Sequence, residues 1–265
     1  MSVPVQIKLS FTFCALVFYF ATVSSTSARA LAHTDATSRS WMQAIGTLRV
    51  PGSRRVEGRS SHHVEDCSAT LVAATQHQRA DTIITAWHCL EHYSDLTKPI
   101  TFSLRSQSGE IITVKAKRLA DGGSMLADWA VLRLQQAHLF NEFTPISIHR
   151  GRANPTQPII MAGYSREVVE EKIAASALTA PLIKEAGGTA RPFNIDPDCN
   201  ITQQHRNTTD TDCMAQKGAS GGPVIQLNKS GKAYYCGIIS EGDGEGFSTF
   251  VPVTRFRSTI NQYLR

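Results

Sequence analysis

Outside its first thirty residues the sequence has no long apolar run. Within them, Leu9 to Val23 gives about 15 apolar-rich residues, short of the roughly 20 that cross a bilayer as a helix, so a retained anchor is disfavoured. The single early Lys8, this run and the small-residue site Ser27-Ala28-Arg29-Ala30 read instead as a secretory signal peptide over residues 1–30, cut after Ala30 or Ala32. A chain so exported is secreted or periplasmic, with no membrane contact once the leader is gone. Helical periodicity is scarce before the last dozen residues, which excludes a helical bundle. Aromatics are missing from the most basic segment, Arg49 to Arg59, and a nucleic-acid surface would interleave them with the charge. That segment, with Pro51, Gly52 and Gly58, reads as a solvated loop, and the net charge of +5 is modest. His62-His63 beside Glu65-Asp66 is no metal site by this reading, because neighbours on an extended chain point to opposite faces. Histidine is absent after His205 and cysteine after Cys236.

What is present is a series of short strand-like runs punctuated by Gly, Pro and Asp. They are Ala44 to Val50, Cys67 to Ala73, Thr82 to Thr85, Ile100 to Leu104, Ile111 to Leu119 and Ala130 to Leu134. After a connector at Asn141 to Gln157 come Pro158 to Tyr164, Ala177 to Ile183, Pro223 to Leu227, Ala233 to Ser240 and Phe247 to Val253. Such a pattern predicts an all-β barrel or sandwich. The division expected is an N-terminal segment 31–40, a first β unit 41–148 and a second 149–265. The tail Thr254 to Arg265 puts Phe256, Ile260, Tyr263 and Leu264 on one helical face, with Thr254 as cap.

Three stretches carry chemistry. In Lys217-Gly218-Ala219-Ser220-Gly221-Gly222-Pro223 a serine sits in a glycine-rich turn where the amides of Gly218 and Ser220 can converge on one spot. Two such donors are what a developing oxyanion requires. Thr85-Ala86-Trp87-His88-Cys89 offers a base and Asp128-Trp129-Ala130-Val131-Leu132 an acid, in the order His, Asp, Ser. An α/β-hydrolase would place its acid and histidine after the serine, so that arrangement is excluded.

T-A-W-H-C, D-W-A-V-L-R-L and G-A-S-G-G-P together resemble the trypsin/chymotrypsin family of serine peptidases, over nearly the whole chain from Trp41 to Arg265. The resemblance implies two six-stranded antiparallel β-barrels with a C-terminal helix and an active site in the cleft between them. It implies Ser220 as nucleophile, His88 as general base, Asp128 as its orienting acid and Gly218 with Ser220 as the oxyanion hole, acting on protein or peptide substrates as a monomer. His62, His63, His77, His92 and Asp121 lie outside the matching contexts. No cofactor and no metal is required. The alternative is a catalytically inactive binding protein of the same fold.

Five cysteines follow the leader, so one stays unpaired. The resemblance implies Cys67–Cys89. Cys199–Cys213, closing a polar loop of about 15 residues, is expected next, with Cys236 free and buried, and Cys213–Cys236 is the competitor. Asn200, Asn207 and Asn228 stand in glycosylation sequons. The primary specificity pocket is expected near Met214 and Ala215, with Asp212 too early to be its floor, hence a moderately sized apolar or broad preference. Ala219 stands where animal members carry an aspartate that receives the new N-terminus. Activation by N-terminal insertion is therefore expected to be absent.

Overall fold

The structure is a computed structural model that describes residues 32–33, 40–74, 80–94, 98–166, 182–183 and 191–264. The leader, most of the 31–40 segment, His77 and all but the end of the run Ala177 to Ile183 lie outside the described residues. Strands dominate. They are β1 (Ala32–His33), β2 (Ile45–Val56), β3 (Arg59–Ala73), β4 (Thr82–Thr85), β5 (Ile100–Arg105), β6 (Ile111–Asp121), β7 (Ala130–Leu134) and β8 (Ile146–Ile148). The second half adds β9 (Ile159–Tyr164), β10 (Leu182–Ile183), β11 (Arg191–Cys199), β12 (Ile201–Gln204), β13 (Thr209–Thr211), β14 (Pro223–Leu227), β15 (Ala233–Gly242) and β16 (Ser248–Pro252). One helix, α1 (Arg257–Tyr263), ends the described chain.

The first half closes on itself: β3, β2, β5, β6, β7 and β4 pair in that order, and β4 pairs back to β3. In the second half the antiparallel path runs β11, β9, β14, β15, β16, β13, β12, giving the second barrel of the pair. The fold is therefore all-β, two antiparallel barrels and a C-terminal helix.

Three expectations are corrected, and one strand had no counterpart among them. The basic stretch read as a loop is the distal arm of the β2–β3 hairpin, paired out to Val56↔Arg59. Glu57 and Gly58 both have positive φ, as a two-residue hairpin turn of matching twist needs. Its charges are exposed because the arm projects beyond the barrel, and Gly52 is required where the His92 carbonyl would lie 2.3 Å from a Cβ. The connector contains β8, three buried residues pairing in parallel with both β3 and β15 and so joining the halves. The polar run Arg191–Cys199 is a strand, its Pro197 falling in a register shift where a missing N–H costs no ladder bond. Helix α1 is preceded by a short turn at Val253–Arg255, so its cap is Phe256, without a side-chain capping bond, rather than Thr254.

Phe256 and Ile260 are buried, Tyr263 and Leu264 pack partly buried against the core, and Phe256 stacks on Trp129 at 5.3 Å. Arg133 Nη2 also donates to the Tyr263 carbonyl at 2.9 Å. The last helix is thus docked on the first barrel, behind the residue that follows Asp128. Cys67–Cys89 and Cys199–Cys213 are disulfides, and Cys236 is free and buried, so the Cys213–Cys236 pairing is not formed. Burial pushes the Cys236 thiol up to about 12, which keeps it protonated and unreactive.

Candidate active site

His88 opens a short 3-10 turn directly after β4. Its neighbour Cys89 is bonded to Cys67 on β3, so the turn is tied covalently to the barrel wall. Asp128 lies at the head of β7, fully buried. β4 and β7 are adjacent antiparallel strands, with Thr85 opposite Ala130, which brings the two segments together. The His88 amide donates to Asp128 Oδ1 at 2.9 Å, and His88 Nδ1 lies 2.8 Å from Oδ2. Ser240 Oγ donates to Oδ2 at 2.5 Å from β15. With Nδ1–H given to the carboxylate, the neutral imidazole keeps its lone pair on Nε2. Burial alone would lower the His88 pKa. The hydrogen bond to Asp128 and the charges of Asp128, Glu65 and Glu241 together outweigh it and leave the pKa raised above the ordinary imidazole value.

Ser220 is positioned differently. Its carbonyl accepts from the Ser68 amide at 2.8 Å, and Ser68 follows the cysteine bridged to His88's neighbour. Around it, Ala219 N donates to Gln216 O, Gly222 N to Ala219 O and Gly221 N to Ile239 O, all within 2.9 Å. Gly221 has φ +83°, and a Cβ there would stand 2.2 Å from both Ser68 O and Thr85 Oγ1. Only glycine fits a turn pressed this closely onto the first barrel. Gly218 has φ +95°. Among the described residues no hydrogen bond uses the amide of Gly218 or of Ser220.

The other candidates are engaged elsewhere. His63 Nε2 contacts Glu65, His92 accepts from Arg54, and Asp121 pairs with Arg118. Two groups of His, Cys and Asp atoms lie close enough to hold a metal among the described residues, Cys67 with His88 and Cys89, and Asp196 with Cys199 and Cys213. In both the sulfurs are spent in disulfides and cannot act as thiolate ligands.

Near the expected specificity pocket, Gly242 lies directly against Ala215. A Cβ at Gly242 would stand 2.4 Å from Ala215 O. Ser248 Oγ donates to Cys213 O at 2.6 Å and accepts from Ala215 N at 3.0 Å, and Met214 N donates to buried Asp196 at 2.8 Å. Ser68 and Ser248 were not identifiable from motifs, and for Ser240 the bond to Asp128 was not foreseen. Their one sequence signal is polarity inside apolar strand runs, as in Gly237-Ile238-Ile239-Ser240.

Residues 50–260 match the family model for trypsin. The chain belongs to the trypsin family. One solved structure agrees at the level of fold. The scabies mite inactivated protease paralogue S-D1 is 14% identical, with a TM-score of 0.55 over 88% of this trypsin-family chain and 95% of its own. The Rv3671c protease in its inactive form is 11% identical, with a TM-score of 0.49 over 83% and 88%. Among curated proteins no match is found.

Proposed function

We propose that the protein is a secreted serine endopeptidase that hydrolyses peptide bonds through an acyl-enzyme. The observation that carries this reading is the His88–Asp128 pair, 2.8 Å apart, its acid buried and accepting three hydrogen bonds. In this mechanism Ser220 Oγ attacks the scissile carbonyl while His88 Nε2 takes its proton. The tetrahedral oxyanion is met by the uncommitted amides of Gly218 and Ser220. As the intermediate collapses, the C–N bond breaks and His88 gives its proton to the leaving amine. A water, deprotonated by His88, then releases the acid. Asp128 holds the imidazole's tautomer and stabilises its positive form without itself being protonated.

The expected leader supports the secreted assignment, as does the pair of disulfides. Among the described residues no helix is long and apolar enough to cross a membrane. The contact between Gly242 and Ala215 narrows the specificity expectation, since it leaves no room for a large side chain between those segments. Cleavage should therefore fall after small residues such as Gly, Ala or Ser. Ala219 offers no charge to an inserted N-terminus, so the enzyme should be competent without a uniquely placed one.

Profiling the mature protein and its Ser220→Ala variant against a peptide library tests both levels. Cleavage after small residues by the wild type alone is expected. Cleavage confined to Arg/Lys or to Glu would overturn the specificity. No cleavage by a folded wild type would favour an inactive binding protein of this fold.

A further inference from the structure

Arg191 begins β11 and is 3% exposed. Its guanidinium donates to backbone carbonyls from three parts of the molecule. Nη1 donates to Cys67 O at 2.9 Å in the first barrel, and Nε to Ser165 O at 3.3 Å, just after β9. Nη2 donates both to Tyr164 O at 2.8 Å and to Gly218 O at 3.2 Å. The Gly218 carbonyl has a second donor, Ser68 Oγ at 2.9 Å, which itself accepts from Tyr164 N at 2.8 Å.

Those bonds matter because of which peptide they hold. Carbonyl and amide of a trans peptide point in opposite directions, so fixing the oxygen fixes where the N–H points. The peptide carrying the Gly218 amide is held through Lys217 O, which accepts from Arg166 N at 2.8 Å. The one carrying the Ser220 amide is held through Ala219 O, on Gly222 N at 2.8 Å. Between them stands the Gly218–Ala219 peptide, whose oxygen is fixed by Arg191 and Ser68. Gly218, at φ +95° and without a Cβ, offers no steric resistance if this plane rotates. An uncompensated rotation there, in ψ of Gly218 or φ of Ala219, would strain the bonds on Lys217 O and Ala219 O and change the angle between the two flanking amides.

We propose that Arg191 is a positioning residue that keeps the oxyanion-binding turn in its productive shape by holding the Gly218 carbonyl inward. It rests on the reading of Ser220 as nucleophile. A planar guanidinium with five donors can serve four carbonyls at once, whereas a lysine ammonium is a single point. The cost of losing Arg191 should therefore fall on the transition state rather than on substrate binding.

The test compares wild type, Arg191→Lys, Arg191→Met and Ser68→Ala by kcat and KM on a peptide amide, by inhibition with a peptide aldehyde, and by amide hydrogen exchange over residues 213–225. For both Arg191 variants kcat should fall about 100-fold, the cost typical of a lost oxyanion donor. KM should stay within about threefold, aldehyde affinity should fall in step with kcat, and the Ala219, Gly221 and Gly222 amides should exchange faster. Ser68→Ala should move the same readouts by roughly tenfold, since one of the two donors remains. A folded Arg191→Lys with unchanged kcat, or one whose loss lies in KM, overturns the proposal. If both Arg191 variants fail to fold, an unchanged kcat in Ser68→Ala overturns it instead. A wild type without turnover sinks the peptidase reading, and the exchange data then decide alone, unchanged rates in Arg191→Lys counting against the clamp.

Discussion

His88 and Asp128 are held by bonds that converge on one carboxylate side chain, whereas Ser220 sits in a turn whose own backbone groups do the bonding, to other backbone and to the side chains of Arg191 and Ser68. On the first side, one carboxylate collects the His88 amide, the His88 ring and Ser240 Oγ. On the second, Ser220 O meets Ser68 N, and Gly221 and Gly222 exchange bonds with Ile239. The difference predicts opposite sensitivities. Side-chain changes at the pair should remove chemistry and spare the fold, whereas changes at the turn act through shape, reaching function and stability together.

The largest effect expected is that of Asp128→Asn. It keeps the volume but no longer orients the imidazole or steadies its charge, and kcat should fall on the order of 10⁴-fold with the fold intact. Steady-state kinetics beside thermal unfolding checks this. A fold lost along with activity would erase the distinction between the sides. Next is Gly221→Ala, whose Cβ would stand 2.2 Å from Ser68 O at a φ of +83°. Overpacking and the left-handed backbone together should cost about 3 kcal/mol in chemical denaturation, and activity with it. A variant as stable as wild type would show that the turn yields more easily than the bonding pattern implies.

The three candidate catalytic positions could be proposed from sequence because each sits in a short local context: a serine between glycines, a histidine before a cysteine, an acid heading an apolar strand. The strands of the first barrel were legible for the same reason, being local apolar runs. β11 was not, because Arg191, Asn194 and Asp196 are polar yet buried, and two prolines interrupt the run. Nor was the outer arm of the β2–β3 hairpin, whose exposed charges, Pro51 and glycines read as loop. Ser68 and Arg191 were invisible for a different reason. They act on carbonyls more than twenty residues away, which no local pattern encodes.

A third prediction sharpens the contrast through covalent links. Cys67–Cys89 ties His88's turn to the wall, whereas Cys199–Cys213 closes the β12–β13 hairpin and bridges neither His88's turn nor the segment of Asp128. Replacing Cys199 and Cys213 by serine should cost about 3 kcal/mol of stability by loosening the unfolded chain. Turnover by the surviving folded fraction should be unchanged, and a matching loss of kcat would tie that hairpin to the site.

The smallest effect is electrostatic. His88 must be neutral to act as base, so kcat/KM should rise with pH through an apparent pKa above about 6.5, the ordinary imidazole value. The same raised pKa stabilises the fold below the unfolded value, a contribution lost as pH rises through the folded one. Glu241→Gln removes one of the charges that raise it, so the acid limb should move to lower pH with the plateau unchanged. A limb that stays in place would mean that Glu241 does not act on His88.

The most direct measurement of the central claim is covalent trapping. The mature protein is treated with an organophosphonate probe that reacts only with activated serines, and the adduct is located by peptide mass spectrometry. One adduct is expected, on the peptide containing Ser220, abolished in both Ser220→Ala and His88→Ala. A folded protein that takes no label, or takes it elsewhere, would contradict the account.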